Sequence, residues 1–233
     1  FSNYMTGQSE TKYPELYTKF KDYQIIKFDS KDVFKKMQRS ENLENFVIQL
    51  DNGATWNLNL KNSGIIGDNY QVTVADTDGL KVSYGTKAIP TKGTINGMSN
   101  SEVSLTFNEN FIYGFLRFGG EQYFIEPVYH LLDVRSSDEF ILYNTKDIIE
   151  QKEYKCGYEL DIAENKRIKK NTDKNVGQRQ VGECLLVNYN TASDWSMRVK
   201  YGSVSGVENH NIGVLNDVQT NYDNEFADEI QFL

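Results

Sequence analysis

Through the first 130 residues the apolar positions recur with a period of two, broken at short intervals by glycine, asparagine and aspartate. That period belongs to strands with one buried and one wet face, because successive side chains point to opposite sides of the pleat. Tyr23-Gln24-Ile25-Ile26-Lys27-Phe28 predicts the first such strand. Ser30 is placed to cap a short helix through Met37, with Asp32 in its first turn. Phe46-Val47-Ile48-Gln49-Leu50 and residues 54–60 then flank Asp51-Asn52-Gly53. Asn-Gly between two such runs is a hairpin signal, since both residues can take positive φ. Trp56, Leu58 and Leu60 alternate with polar residues, so one side of this hairpin is buried.

Further strands are predicted at residues 70–75 and 80–84, joined through Asp76-Thr77-Asp78-Gly79, and at 93–96, 103–107, 111–118 and 121–125. Gly119-Gly120 separates the last pair as a two-residue turn. Strands at this spacing with turn residues between them predict a mainly β, antiparallel sandwich or barrel. Residues 136–151 are mixed, with a strand at 140–143 and a helical turn at 147–151. Residues 161–181 carry six bases, among them Arg167, Lys170 and Arg179, against three acids, and almost nothing apolar. Such a segment cannot pack on itself and is expected to be a linker.

After it, Cys184-Leu185-Leu186-Val187-Asn188-Tyr189 predicts a buried strand. Val207, Val214, Leu215, Val218 and Tyr222 fall on one side of a helix, with Ile212 off the stripe, and an apolar strand begins at Glu229. Strand, helix and strand make the start of an α/β unit, with an apolar face and a sheet edge left open. The expected organisation is therefore a β domain over residues 1–160, a basic linker over 161–181 and an incomplete α/β piece over 182–233.

Composition narrows the function classes. At 233 residues, with 39% hydrophobic and 13% aromatic content, the chain can bury a core, and only three prolines argue against disorder. A net charge of −8 opposes general nucleic-acid binding, which needs a basic surface. No apolar run reaches the ~20 residues that cross a bilayer. With Phe1 first and no leader, the sequence reads as a mature or trimmed chain. Two cysteines, Cys156 and Cys184, are too few for a disulfide scaffold. The Tyr, Asn and Asp content suits a secreted or cell-surface protein, extracellular or periplasmic.

Four short motifs occur in order: Gly93-Thr94-Ile95-Asn96-Gly97, Ser101-Glu102-Val103-Ser104-Leu105, Gly114-Phe115-Leu116 and Tyr123-Phe124-Ile125-Glu126-Pro127. Phe140-Ile141-Leu142-Tyr143-Asn144 follows them. Together they resemble the end of the propeptide of ADAM and reprolysin (adamalysin-type) zinc metalloproteases. Residues 185–189, Asn216-Asp217-Val218-Gln219-Thr220-Asn221-Tyr222 and residues 230–233 are similar to the opening of that family's catalytic domain. The resemblance spans roughly residues 45–233. It implies a latency-maintaining propeptide followed by the start of a metzincin catalytic domain, whose partners are its own protease's catalytic domain and an activating protease.

The resemblance also assigns chemistry. A propeptide thiolate can occupy the fourth position on a catalytic zinc, where the attacking water would sit. Cys156, followed by Gly157, is the candidate for such a switch, although Tyr154-Lys155 replace the family's proline-containing run. A disulfide with Cys184, or an inert thiol, are the other readings of Cys156. Arg167, Lys170 and Arg179 are candidate activation cleavage sites, against the plainer reading of a solvated loop. The zinc motif itself, His-Glu-x-x-His, is not in this sequence, whose two histidines are His130 and His210. The chain is thus expected to hold no catalytic residues and no cofactor of its own, zinc belonging to the parent protease. The rival reading is a non-catalytic β-sandwich binding or adhesion module, with Phe111, Tyr113, Phe115, Phe118, Tyr123 and Phe124 as its ligand face.

Overall fold

The computed structural model describes residues 4–8, 12–40, 42–83, 85, 87–134, 138–149, 185–187, 189–226 and 230–232. Its strands are β1 (Tyr4–Gln8), β2 (Gln24–Lys27), β3 (Asn42–Gln49), β4 (Thr55–Asn62), β5 (Val72–Asp76), β6 (Gly79–Ser83), β7 (Ile89–Ile95), β8 (Glu102–Asn108), β9 (Phe111–Phe118), β10 (Glu121–Pro127), β11 (Glu139–Asn144), β12 (Leu185–Val187) and β13 (Ile230–Phe232). The helices are α1 (Ser30–Met37), α2 (Trp195–Lys200) and α3 (Val204–Phe226).

Eight strands curl into one antiparallel sheet in the order β2-β11-β10-β9-β8-β7-β4-β3. Strand β1 spans its two ends, antiparallel to β2 and parallel to β3, and closes a barrel. Of the two expected architectures, sandwich or barrel, the sheet is the barrel. Its interior follows the alternation: Leu58 and Leu60 of β4, Val103, Leu105 and Phe107 of β8, and Ile112 and Leu116 of β9 all join the central cluster. Phe28, Phe46 and Phe107 stack edge to face through it, with ring centres 5.1 and 5.8 Å apart. Helix α1 covers one end with Val33 and Met37.

Three local expectations are corrected. Helix α1 is capped by Asp29, whose carboxylate accepts from the Asp32 backbone N–H, one residue before the expected Ser30. Ser30 is itself buried and donates to the Glu109 carbonyl (2.5 Å). The β3–β4 turn gives positive φ to Gly53 alone, with Leu50 and Ala54 paired, so it is a three-residue loop with one left-handed residue. Gly119-Gly120, by contrast, is the two-residue turn expected, with both φ positive. Strands β5 and β6 do form a hairpin, but as a separate two-stranded sheet outside the barrel.

Two parts of the barrel wall depart from one-face burial. Strands β8, β9 and β11 are buried along nearly their whole length. Their outer faces must therefore be covered too. Leu16, Phe20 and Tyr23 cover Ile25 of β2 and Ile141 and Tyr143 of β11 in a second, smaller core. The cover on β7, β8 and β9 is helix α3. Helices α2 and α3 lie between β12 and β13, which pair in parallel, so the C-terminal part carries the predicted strand, long helix and strand with the short α2 added.

Candidate functional site

The outward positions of β8 are Glu102, Ser104 and Thr106, polar residues that alternate with the apolar interior row. On an open sheet they would face water. Here α3 lies over them and presents Asn216, Asp217 and Thr220, all buried. Asn216 donates to the Thr91 carbonyl (2.9 Å) and to Ser104 Oγ (3.0 Å), and Ser104 in turn donates to Asp217 Oδ1 (2.6 Å). At one end, Asn108 of β8 donates to Asn209 (3.0 Å). At the other, Arg117 of β9 bridges Glu102 (2.8 Å) and Asn221 (2.8 Å), and Lys92 of β7 pairs with Asp223 (2.8 Å). The contact between barrel and helix is a hydrogen-bonded polar seam.

Close approach is possible because of Gly213. A Cβ there would sit 2.6 Å from the Tyr113 ring, so glycine lets the helix lie down on β9. Past the seam, Gln219 donates to the Ile230 carbonyl (2.9 Å) and accepts from the Phe232 N–H (2.6 Å), fixing β13 to the same helix. A small apolar patch of Ile65, Ala88 and Ile212 accompanies the polar contacts.

This reverses the expected face of the helix. Ile212, predicted off the stripe, is buried, while Val214, Val218 and Tyr222 are each more than a third exposed and Phe226 is 40% exposed. Only Val207 of the predicted stripe is fully buried. At 3.6 residues per turn Asn216 and Val218 lie on opposite sides, so α3 holds the barrel mainly with its polar side, helped by Val207, Ile212 and Leu215, and turns Val214, Val218, Tyr222 and Phe226 outward. Tyr189 joins this surface through Phe232, whose ring centre lies 6.0 Å from that of Tyr189 and 5.0 Å from that of Tyr222, and Val187 at the end of β12 and Trp195 and Val199 on α2 are exposed as well.

Burial sets the electrostatics of the seam. Loss of hydration pushes the Asp217 carboxyl up to about 8, and Glu102 adds to this, while Ser104 and Arg117 act against it. Burial likewise raises Glu102, with Asp223 reinforcing and Arg117 opposing. At the N-terminal end of α3 the chain's two histidines meet, one from each side of the contact, with ring centres 6.0 Å apart. His210 stacks on Tyr201 and its Nε2 lies 3.0 Å from that hydroxyl. Burial and the neighbouring His130 and Lys200 bring His210 down to about 4.

Among the described residues no group of three His, Cys, Asp or Glu is arranged to hold a metal. Around His130 and His210 the space is filled by the rings of Phe111, Tyr113 and Tyr201. These residues do not fit a catalytic zinc. Cys156, Gly157, Arg167, Lys170, Arg179 and Cys184 lie outside the described residues. The aromatic row is not an open ligand face: Phe118 and Tyr123 pack inside the barrel with Trp56. Phe111 and Phe115 are buried on the outside, where Phe111 packs on His130 and Phe115 on Phe124. No helix among the described residues is long and apolar enough to cross a membrane.

No known protein-family model matches this chain, and no curated protein matches it either.

The seam itself was legible only in pairs. Ser104 and Glu102 read as the wet side of a strand, and Asn209, Asn216 and Thr220 as the wet side of a helix. The one available sign was complementarity: two polar faces, both poor in lysine, both crowded with short hydrogen-bonding side chains.

Proposed function

We propose that the chain is the restraining part of a secreted zymogen, in which the β-barrel holds the first strand–helix–strand of a zinc metalloprotease catalytic domain of the ADAM or reprolysin type. One observation carries this reading: α3 docks on the barrel mainly by its polar face and keeps Val214, Val218 and Tyr222 of its apolar stripe outward. A helix belonging to the barrel's own fold would bury that stripe. A helix held on loan to a second, apolar core would do the reverse, since polar contacts are worth little net in water and release readily. The short parallel pair β12–β13 supports the same reading, because parallel sheets are covered on both faces and a two-stranded one does not stand alone. In the zymogen, the remaining strands of the catalytic domain would cover the stripe, and the barrel would hold the domain latent until the segment over residues 161–181 is cut.

The reading is tested on the parent reading frame and its product. A His-Glu-x-x-His motif is expected downstream of Leu233, and the barrel piece released by that cut, residues 1–160, added to the activated protease, is expected to suppress peptide hydrolysis in proportion to its concentration. A frame without that motif, or full hydrolysis at a saturating concentration of the barrel piece, would sink it. Cys156→Ala in the zymogen separately tests the thiol: premature activity supports the switch, and unchanged latency assigns restraint to the barrel alone.

A further inference from the structure

The seam is an unusual way to hold a helix. Asp217, 8% exposed, has Ser104 as its hydrogen-bonding side-chain neighbour. The charged and titratable groups near it are Glu102 on β8, Arg117 and Tyr113 on β9, and Tyr143 on β11. Arg117, the one cation of that set, is already held by Glu102, Gln122 and Asn221. A buried carboxylate with no dedicated cation is costly, whereas a buried neutral carboxyl hydrogen-bonded to a hydroxyl is not. Undocked, the same side chain stands in water and ionises in the ordinary way.

We propose that the seam is a proton-dependent clasp: the barrel grips α3 while the Asp217 carboxyl is neutral, and its hold weakens as that carboxyl ionises. The clasp regulates the restraint proposed above and rests on that reading for its role, though not for its physics. Docked, Asp217 titrates at about 8, far above the free carboxyl's ordinary value. A group raised by docking contributes to the docked state at low pH, and that contribution is lost as pH rises through the docked value.

His210 acts with the opposite sign. It is faced by His130 from the 3-10 turn Val128–His130, Glu126 from β10, Tyr113 from β9, and Lys200 and Tyr201 at the end of α2. Lowered on docking to about 4 from an ordinary 6.5, it favours docking at high pH and gives up that support as pH falls from 6.5 to about 4. Between about 5 and 6 docking therefore takes up one proton at Asp217 and releases one at His210, and the two nearly cancel, while Glu102, also raised by burial, adds uptake at the more acid end. Between about 6.5 and 8 Asp217 acts alone. The clasp is level in mild acid and loosens across neutrality by up to about tenfold per pH unit.

Hydrogen exchange of the whole chain reads this directly. Protection of the α3 amides, corrected for intrinsic exchange, is expected to fall up to about tenfold per unit from pH 6.5 to 8 and to stay nearly level from about pH 5 to 6. Asp217→Asn keeps the shape and the Ser104 contact without the charge, and should hold protection level across the same range. An equal slope in both proteins, or none in the native chain, overturns the clasp. Amides of β8 and β9 show whether the variant still folds. If it does not, a carboxyl-carbon titration of the native chain decides: Asp217 titrating near 8 supports the clasp, and a value in the usual carboxylate range overturns it. Suppression of the protease is measured separately at one pH, so a barrel that fails to inhibit but shows the slope would leave the clasp standing without its zymogen role.

Discussion

Inside the barrel, Phe46 is fully buried between Phe28 and Phe107, and its neighbours are Leu, Ile and Val side chains of the surrounding strands. Under α3, Asn216 is just as fully buried, but its neighbours are the Thr91 carbonyl, Ser104 and Asp217. Both regions exclude water, yet they differ in what they gain by it. Apolar burial contributes about 25 cal/mol per Å² and has no direction. A hydrogen-bonded seam gains little net and is severe only toward mismatch, because a group left without its partner bears the whole cost of desolvation. The barrel interior therefore supplies stability, and the seam supplies a specific, reversible grip.

The comparison is tested most strongly at its apolar end. Phe46→Ala removes a ring packed on two others and should destabilise the barrel by about 3–5 kcal/mol, read as a large drop in the urea midpoint. A change under about 1 kcal/mol would mean that the barrel's stability does not centre on this cluster.

Asn216→Ala probes the other region. It removes the side-chain donor that the buried Thr91 carbonyl and Ser104 Oγ share, at about 1–3 kcal/mol. The loss should be local: α3 amides exchange faster while those of β9 keep their native protection. A uniform loss across both would make helix and barrel one cooperative body and erase the distinction.

How much of this the sequence disclosed follows from the same contrast. The interior was legible because Trp56, Leu58 and Leu60 need only a period of two, and Gly119-Gly120 needs only its own turn. Other glycines carry reasons that only the fold reveals. A Cβ on Gly114 would meet the Ser104 carbonyl at 2.0 Å, and one on Gly93 the Asn59 carbonyl at 1.9 Å, so both mark neighbouring strands in close contact. The cap moved from Ser30 to Asp29 because Ser30 had a tertiary partner in Glu109 that no local pattern contains. The helix face was misjudged for the deepest reason. Patterning assumes that apolar residues choose the buried side, and in α3 the partner is a polar strand row, so Asn216 and Asp217 chose it instead.

The smallest effect belongs to the open stripe and separates this chain from the zymogen proposed around it. Val218 is 36% exposed on α3 and lies on the opposite side from the seam. Val218→Gln should shift stability by no more than about 0.5 kcal/mol, as exposed substitutions do. The better helix propensity of glutamine tilts even that change toward stabilisation by a few tenths. In the full zymogen the same valine is expected to be covered, so the substitution should cost about 1.5–3 kcal/mol there. Urea midpoints of the two pairs make the comparison. Equal small shifts in both would mean the stripe stays open in the longer protein, and the polar grip on α3 would then need a reason other than freeing its apolar side.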